Sequence, residues 1–313
     1  MPGSEPVRVL PERTWTHKDL YARIRDAIYA LPFYFRTETV ISGMMATDIF
    51  TLNATLGATI EAQVVSTLNE MRPIWDPDGR YTLYGFVRQS QTFPDVLLKR
   101  QASVDDKTTI ILGLELKGWY LLAKEGEPSF RFQVTPSACS IQDLIVVVPW
   151  ALSNVISGSP KVFSPFVESA RYAAEYRNYH WQQLRQTGSS ADIVSPPGVS
   201  PYPNKTDRIA DKPVADAGGN FGRFARTGLM DVYLESARSQ VLCGIAARHW
   251  LTFFKTFQEH TSDAAIEREL HRLTRRFIDT EAPVDEFTLE RIKSILGEIG
   301  QIIAQQSKRV PHA

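Results

Sequence analysis

The sequence predicts an α/β protein of the α+β type, with a mixed central β-sheet flanked by helices and a helical C-terminal part. Three observations carry this. Four runs rich in β-favouring residues, 81–87, 94–99, 109–118 and 143–150, follow one another with turn residues between them. Apolar residues recur every three or four positions ahead of those runs and again after residue 231, the spacing of helices with one buried face. The run Asp143-Leu144-Ile145-Val146-Val147-Val148-Pro149-Trp150 is apolar without alternation after its first residue, which places it in the middle of a sheet, buried on both faces.

Taken in order, residues 1–16 carry Pro2, Pro6 and Pro11 and read as a loose arm. Thr16 is the expected N-cap of a helix over 17–31, with Leu20, Ile24, Ala27, Ile28 and Leu31 on one stripe and Pro32 as its stop. A second helix opens at Asn53 or Thr55 and runs to Met71 on Leu56, Ile60, Val64 and Leu68. Glu61 borders that stripe, and Gly57 lies one turn earlier on its face, which suggests a close approach there. Asp76-Pro77-Asp78-Gly79 is a turn. Strands follow at 81–87, 94–99 and 109–118, then a strand-like piece at 130–134, a turn at 136–142 and the 143–150 strand. Residues 166–185 read as one long helix, 187–227 as loop, and 232–257, 262–277 and 287–306 as helices with no strand among them. The expected organisation is an N-terminal helical arm (1–52), a core (53–188), a long Pro/Gly-rich loop (189–227) and a helical part (228–313).

Of 313 residues, 43% are hydrophobic and 22% charged, enough for a large core. Lys plus Arg and Asp plus Glu each number 35, so the formal net charge is zero. That balance does not favour nucleic acid as a partner, yet a basic cleft on a balanced surface is enough to engage phosphates. Cys139 and Cys243 have no metal or disulfide spacing and read as small buried residues. There is no leader-like stretch and no apolar run near the ~18 residues of a membrane span. A cytoplasmic protein with no membrane partner is the expectation.

The chemistry concentrates in two neighbouring strands. Glu115 and Lys117 are two apart on an apolar run, so they share one strand face, opposite Ile110, Leu112, Leu114 and Leu116. Asp95 opens the preceding strand, twenty residues earlier, so it can meet Glu115 at one end of the pair. Carboxylates packed near 4 Å repel by about 1–4 kcal/mol, depending on local dielectric, and a divalent cation removes that conflict. Asp95, Glu115 and Glu61 would give a hard cation such as Mg2+ three oxygen ligands. With Lys117 alongside, such a set suits hydrolysis of a phosphodiester.

These residues also resemble a known family. Phe93-Pro94-Asp95 followed by Glu115-Leu116-Lys117 looks like the Pro-Asp…Glu-x-Lys signature of the PD-(D/E)XK nuclease superfamily. The upstream Leu56-Gly57-Ala58-Thr59-Ile60-Glu61 resembles that family's helix and its auxiliary glutamate. The likeness covers about residues 53–150, and among members it is most like a type II restriction endonuclease. It implies a restriction-endonuclease-like fold. It also implies Asp95 and Glu115 as metal ligands, Glu61 as an auxiliary ligand, Lys117 as catalytic lysine, and Mg2+ as cofactor. Double-stranded DNA would be the substrate and a homodimer the form that cuts both strands. One departure is the connection before the 143–150 strand, which carries the extra piece at 130–134.

Lys99 and Arg100, and Arg171, Arg177 and Arg185 within an aromatic-rich helix, are candidate DNA contacts. The alternative for that helix is a core face of Phe166, Ala170, Ala173, Trp181 and Leu184 with a solvated arginine face. Gln133 is a further residue that would face the site if its strand turns that way. The glycines at 218–222 lack the strand-loop-helix lysine pattern, so no nucleotide cofactor is expected. Two other readings keep the fold: a nuclease of DNA repair or recombination that recognises structure, and an inactive DNA-binding or assembly module.

Overall fold

A computed structural model describes residues 4–44, 48–89, 92–101, 106–185, 191–216, 218, 220–256, 262–278 and 294. Helix α1 spans Lys18–Tyr34 and buries Leu20, Ile24, Ala27, Ile28 and Leu31, the stripe expected from the spacing. It starts behind His17 rather than Thr16 and carries Pro32 inside its last turn, continuing to Tyr34. Helix α2 (Leu52–Glu70) buries Ile60, Val64 and Leu68, and a short helix α3 (Arg72–Trp75) follows.

The sheet is built next. Strands β1 (Tyr84–Arg88), β2 (Val96–Arg100) and β3 (Ile110–Tyr120) pair antiparallel in sequence order. Strand β4 (Leu144–Leu152) then lies parallel to β3, Leu114 facing Leu144 and Lys117 facing Val147. Every residue of β4 is buried, as its unbroken apolar run requires. Its far edge is shared by two short antiparallel strands, β5 (Pro160–Val162) and β6 (Phe166–Ser169). The result is a mixed α+β architecture with helices flanking a mixed sheet.

The segment 130–134 is not a sheet strand. It makes isolated bridges, Arg131 to Arg223 and Val134 to Ala210, and so lies against the later loop. The expected long helix at 166–185 is also divided. Residues 166–169 are β6, helix α4 covers Ala170–Tyr179, and a π-helical turn covers His180–Leu184. Ser169 is the reason for the break: its Oγ accepts the Tyr172 N–H, an N-cap that fixes where the helix begins.

Within the expected loop, β7 (Ile193–Val194) and β8 (Lys212–Pro213) form a two-residue ladder. The expected helix at 232–257 is two helices, α5 (Asp231–Arg238) and α6 (Ala247–Thr256), separated by a tight hairpin of β9 (Val241–Leu242) and β10 (Ile245–Ala246). The hairpin turns through Cys243 and Gly244, both at positive φ. Helix α7 spans Asp263–Ile278, and the helix expected at 287–306 lies outside the described residues. Buried residues of α1, α2, the sheet, α5 and α6 join one hydrophobic cluster, which includes Ile24, Ile60, Val146, Leu234 and Phe253. No described helix is long and apolar enough to cross a membrane.

Candidate functional site

The site arises because β3 outruns β2. Their pairing ends with Val96 opposite Leu114, while β3 continues to Tyr120. Along that overhang, backbone N–H groups that would pair with β2 need other acceptors. Three side chains supply them in a row. Asp95 Oδ2 accepts from Leu116 at 3.1 Å, Glu61 Oε1 from Gly118 at 2.9 Å, and Asn53 Oδ1 from Tyr120 at 3.0 Å. Two are from α2 and one is from the residue preceding β2. The need to cap a strand edge thus draws two carboxylates to one place.

Glu115 completes the group. Its Oε2 accepts the Asp95 N–H at 3.3 Å. Lys117, two residues on, holds its Nζ 3.7 Å from Glu61 Oε1, with side-chain exposures of 30% for Lys117 and 17% for Glu61. Asp95, Glu115, Glu61 and Lys117, expected together from the sequence, are brought together by β2, β3 and α2.

The electrostatics follow from crowding in a half-buried place. Burial is the main force raising the Asp95 pKa; the Leu116 N–H and the charges of Lys117 and Arg88 pull against it, Glu61 pushes with it, and the outcome is about 6. Glu115 is lifted well above the usual carboxylate range, first by burial and then by the Asp95 charge. Two neighbouring carboxyls whose charged forms are both disfavoured by burial form a site that favours an added positive charge. The donors are all oxygen, which fits a hard cation. Among the described residues, no three His, Cys, Asp or Glu side chains close around one point as a metal cage. Asp95 and Glu115 are the directly hydrogen-bonded pair of acids, and Glu61, whose Oε1 accepts from Gly118 and faces Lys117, stands beside them as an auxiliary donor.

Gly113 lets Asp95 reach its position. A Cβ there would lie 2.2 Å from Pro94 Cγ, so the Pro94 ring rests on bare backbone of the neighbouring strand. The close approach expected at Gly57 has a different basis. A Cβ on Gly57 would meet nothing within 4 Å; it is the Gly57 carbonyl that comes near Gly118 of β3.

Three residues around the site were not singled out from the sequence. Arg88 ends β1 and pairs in register with Val96, beside Asp95. Asn53 is the third edge cap. Asp143, fully buried, accepts the N–H of Gly113 and of Ser140, each at 2.7 Å, and the Tyr202 hydroxyl at 3.1 Å. Burial raises its pKa to about 7 against the pull of those donors. Its signal was legible: an acid opening an otherwise apolar strand, the same oddity that marks Asp95.

The candidate DNA contacts scatter. Arg177 is a correction: only 2% exposed, it lies inside the protein in an ion pair with Asp211. It also donates to the carbonyls of Phe132 at 2.8 Å and Val134 at 3.0 Å and to Asn178 Oδ1. It staples α4 to the 130–134 segment and to the loop at 211, and burial lowers its pKa to about 10. Arg171 is exposed and pairs with Glu175 one turn on, at 3.1 Å. The Arg185 guanidinium lies over the Trp181 ring, 3.2 Å from its centre. Lys99 lines a cleft described below, whereas the exposed Arg100, next along β2, is not among the residues of that cleft. Gln133 is held by the Phe221 carbonyl at 3.4 Å, within the segment that packs on the later loop. Of the alternative core face, Ala170, Ala173 and Trp181 are buried and Leu184 is exposed.

No protein-family model matches this chain, and no match is found among curated proteins or solved structures.

Proposed function

We propose that this chain is a magnesium-dependent endonuclease that hydrolyses DNA phosphodiester bonds, with its site in the PD-(D/E)XK arrangement. The observation that carries the reading is the convergence of Asp95, Glu115, Glu61 and Lys117 where β3 outruns β2, with the Asp95 pKa held up by burial and the nearby Glu61 charge and the Glu115 pKa by burial and the Asp95 charge. The order of α2, three antiparallel strands and a parallel fourth supports a restriction-endonuclease-like core. Asp95 and Glu115 would hold the cation, with Glu61 as auxiliary ligand. Bound there, Mg2+ would supply the positive charge that relieves the carboxylates and polarises a phosphoryl oxygen. Lys117 places an ammonium against developing negative charge on the phosphate, and Glu61 keeps that ammonium from swinging away. Sequence-specific cutting of both strands would take two such sites, hence a homodimer on a pseudo-palindromic target.

Incubating the purified full chain with a plasmid of known sequence and Mg2+, then mapping the ends, tests this. Discrete ends at a repeated sequence are expected. A folded protein that leaves DNA intact with Mg2+, Mn2+ and every other divalent metal would end the proposal.

A second reading is favoured by one observation: Asp95 and Glu61 each cap a backbone N–H of β3. In it, the chain is an inactive DNA-binding or assembly module and the carboxylates serve the strand edge alone. Calorimetric titration separates the two, because an edge cap gives no divalent binding that disappears in Glu115→Gln.

A further inference from the structure

Beside the acidic cluster lies a cleft of about 250 Å³ formed by β2, the start of β3 and the 202–205 loop. Lys99, Lys107 and Lys205 line it, and among the described residues of its lining Asp106 is the one carboxylate. Asp106 is already engaged, its Oδ1 accepting from the Thr108 N–H and hydroxyl at 2.9 and 2.6 Å. The described lining is therefore rich in lysine, in a protein whose formal net charge is zero.

Its placement ties it to the acidic cluster. Leu97 and Lys99 line the cleft and share one face of β2, whose first residue directly follows Asp95. The register of β2 against β3 shifts between Leu98 and Lys99, so that Lys99 faces Ile110 while Leu97 faces Gly113. This bulge brings Ile110 onto the face of Gly113 and Glu115, although alternation alone puts it opposite. Lys99 lies four residues from Asp95, roughly 13 Å at about 3.3 Å per residue.

The opposite wall is held rigidly. Tyr202 sits at φ +56°, a left-handed conformation uncommon outside glycine. Its hydroxyl donates to the buried Asp143, which also holds Gly113 of β3. The volume is below the roughly 300–1,000 Å³ of pockets that enclose a whole small molecule. It suits a stretch of phosphate backbone whose bases remain outside.

We infer that this cleft is a phosphate-binding subsite that holds a polynucleotide strand roughly 13 Å from the acidic cluster, with Lys99, Lys107 and Lys205 neutralising its phosphates. The inference rests on the nuclease reading for the identity of its ligand, and it deepens that reading by naming where the strand runs. The test uses the full chain carrying Asp95→Asn and a fluorescent duplex oligonucleotide, with affinity measured over a series of salt concentrations. Changing all three lysines to Gln is expected to weaken low-salt binding at least tenfold and to flatten the slope of log K against log salt by about 0.9 per lost contact. Lys107→Gln alone, at an exposed position, should flatten it by about one contact's worth. Unchanged affinity and slope in folded variants would overturn the subsite even if the wild type cuts DNA. A flattened slope with a wild type that never cuts would keep the subsite and remove the nuclease reading. Displacement of the oligonucleotide by inorganic pyrophosphate at equal phosphate concentration would assign the cleft to small free phosphates and overturn the polynucleotide assignment.

Discussion

Asp95 and Glu115 hold each other across the opening between two strands: the Asp95 N–H donates to Glu115 Oε2 at 3.3 Å while the Asp95 carboxylate takes the N–H of Leu116 at 3.1 Å. The contact fixes the backbone of one acid with the side chain of the other. It leaves two carboxyls side by side in a half-buried place, and that tension sets the first two expectations.

Asp95→Asn should abolish cleavage without lowering the stability of the metal-free protein. The amide keeps an acceptor for Leu116 and removes a charge. The folded-state pKa of Asp95, about 6, lies above its ordinary value near 3.8. The fold therefore favours the protonated form, and stability is greatest below about pH 4 and falls as pH rises through 6. The loss is of the order of 3 kcal/mol, at about 1.4 kcal/mol per unit. Glu115 acts in the same direction. Urea unfolding at pH 4.5 and pH 7.5 should show a smaller pH difference in the variant than in the wild type. A variant several degrees less stable than the wild type at pH 7.5 would make Asp95 a structural residue.

Divalent cation should reverse that loss. Mg2+ or Ca2+ at a hundred times its dissociation constant raises native stability by roughly 2.7 kcal/mol. The gain should be clear at pH 7.5, shrink at pH 5 where Asp95 and Glu115 hold protons, and vanish on adding chelator. Thermal melts of wild type and Glu115→Gln read this directly. An equal gain in both proteins would place the cation elsewhere.

Gly113 and Gly57 should respond oppositely to alanine. At Gly113 the new methyl would overlap the Pro94 ring, and a proline cannot swing aside as a flexible chain can. A loss of about 1–3 kcal/mol is expected, with displacement of the adjoining Asp95 and loss of activity. At Gly57 the methyl meets open space within a helix, so a gain of about 0.5–1 kcal/mol is expected. Denaturant midpoints decide both.

Arginines from the same helix should separate by burial. Arg177→Ala leaves Asp211 buried without its guanidinium and should cost about 3–5 kcal/mol. Arg171→Gln breaks an exposed pair one turn apart and should cost less than about 0.5 kcal/mol. If Arg177→Ala were as mild as Arg171→Gln, the interior pair would not be the staple described.

Sequence pattern by itself determined the succession of α1, α2 and the strands β1 to β4, because alternation, helical spacing and turn residues are local properties of the chain. It also determined that Glu115 and Lys117 share a strand face, since the two-residue repeat fixes that. The divided helix at Ser169 and the hairpin at Cys243–Gly244 were carried by short caps and turns that a long apolar rhythm hides. The fate of Arg177 was beyond local reading: an arginine among aromatics looks the same whether its neighbours are solvent or Asp211, which lies thirty-four residues away in the chain. Only the tertiary structure decided that β3 outruns β2, and with it that Asp95, Glu61 and Asn53 line up on one strand edge. The physical reason is that unpaired backbone N–H groups must find acceptors. Which side chains supply them depends on register and on the packing of α2 against the sheet.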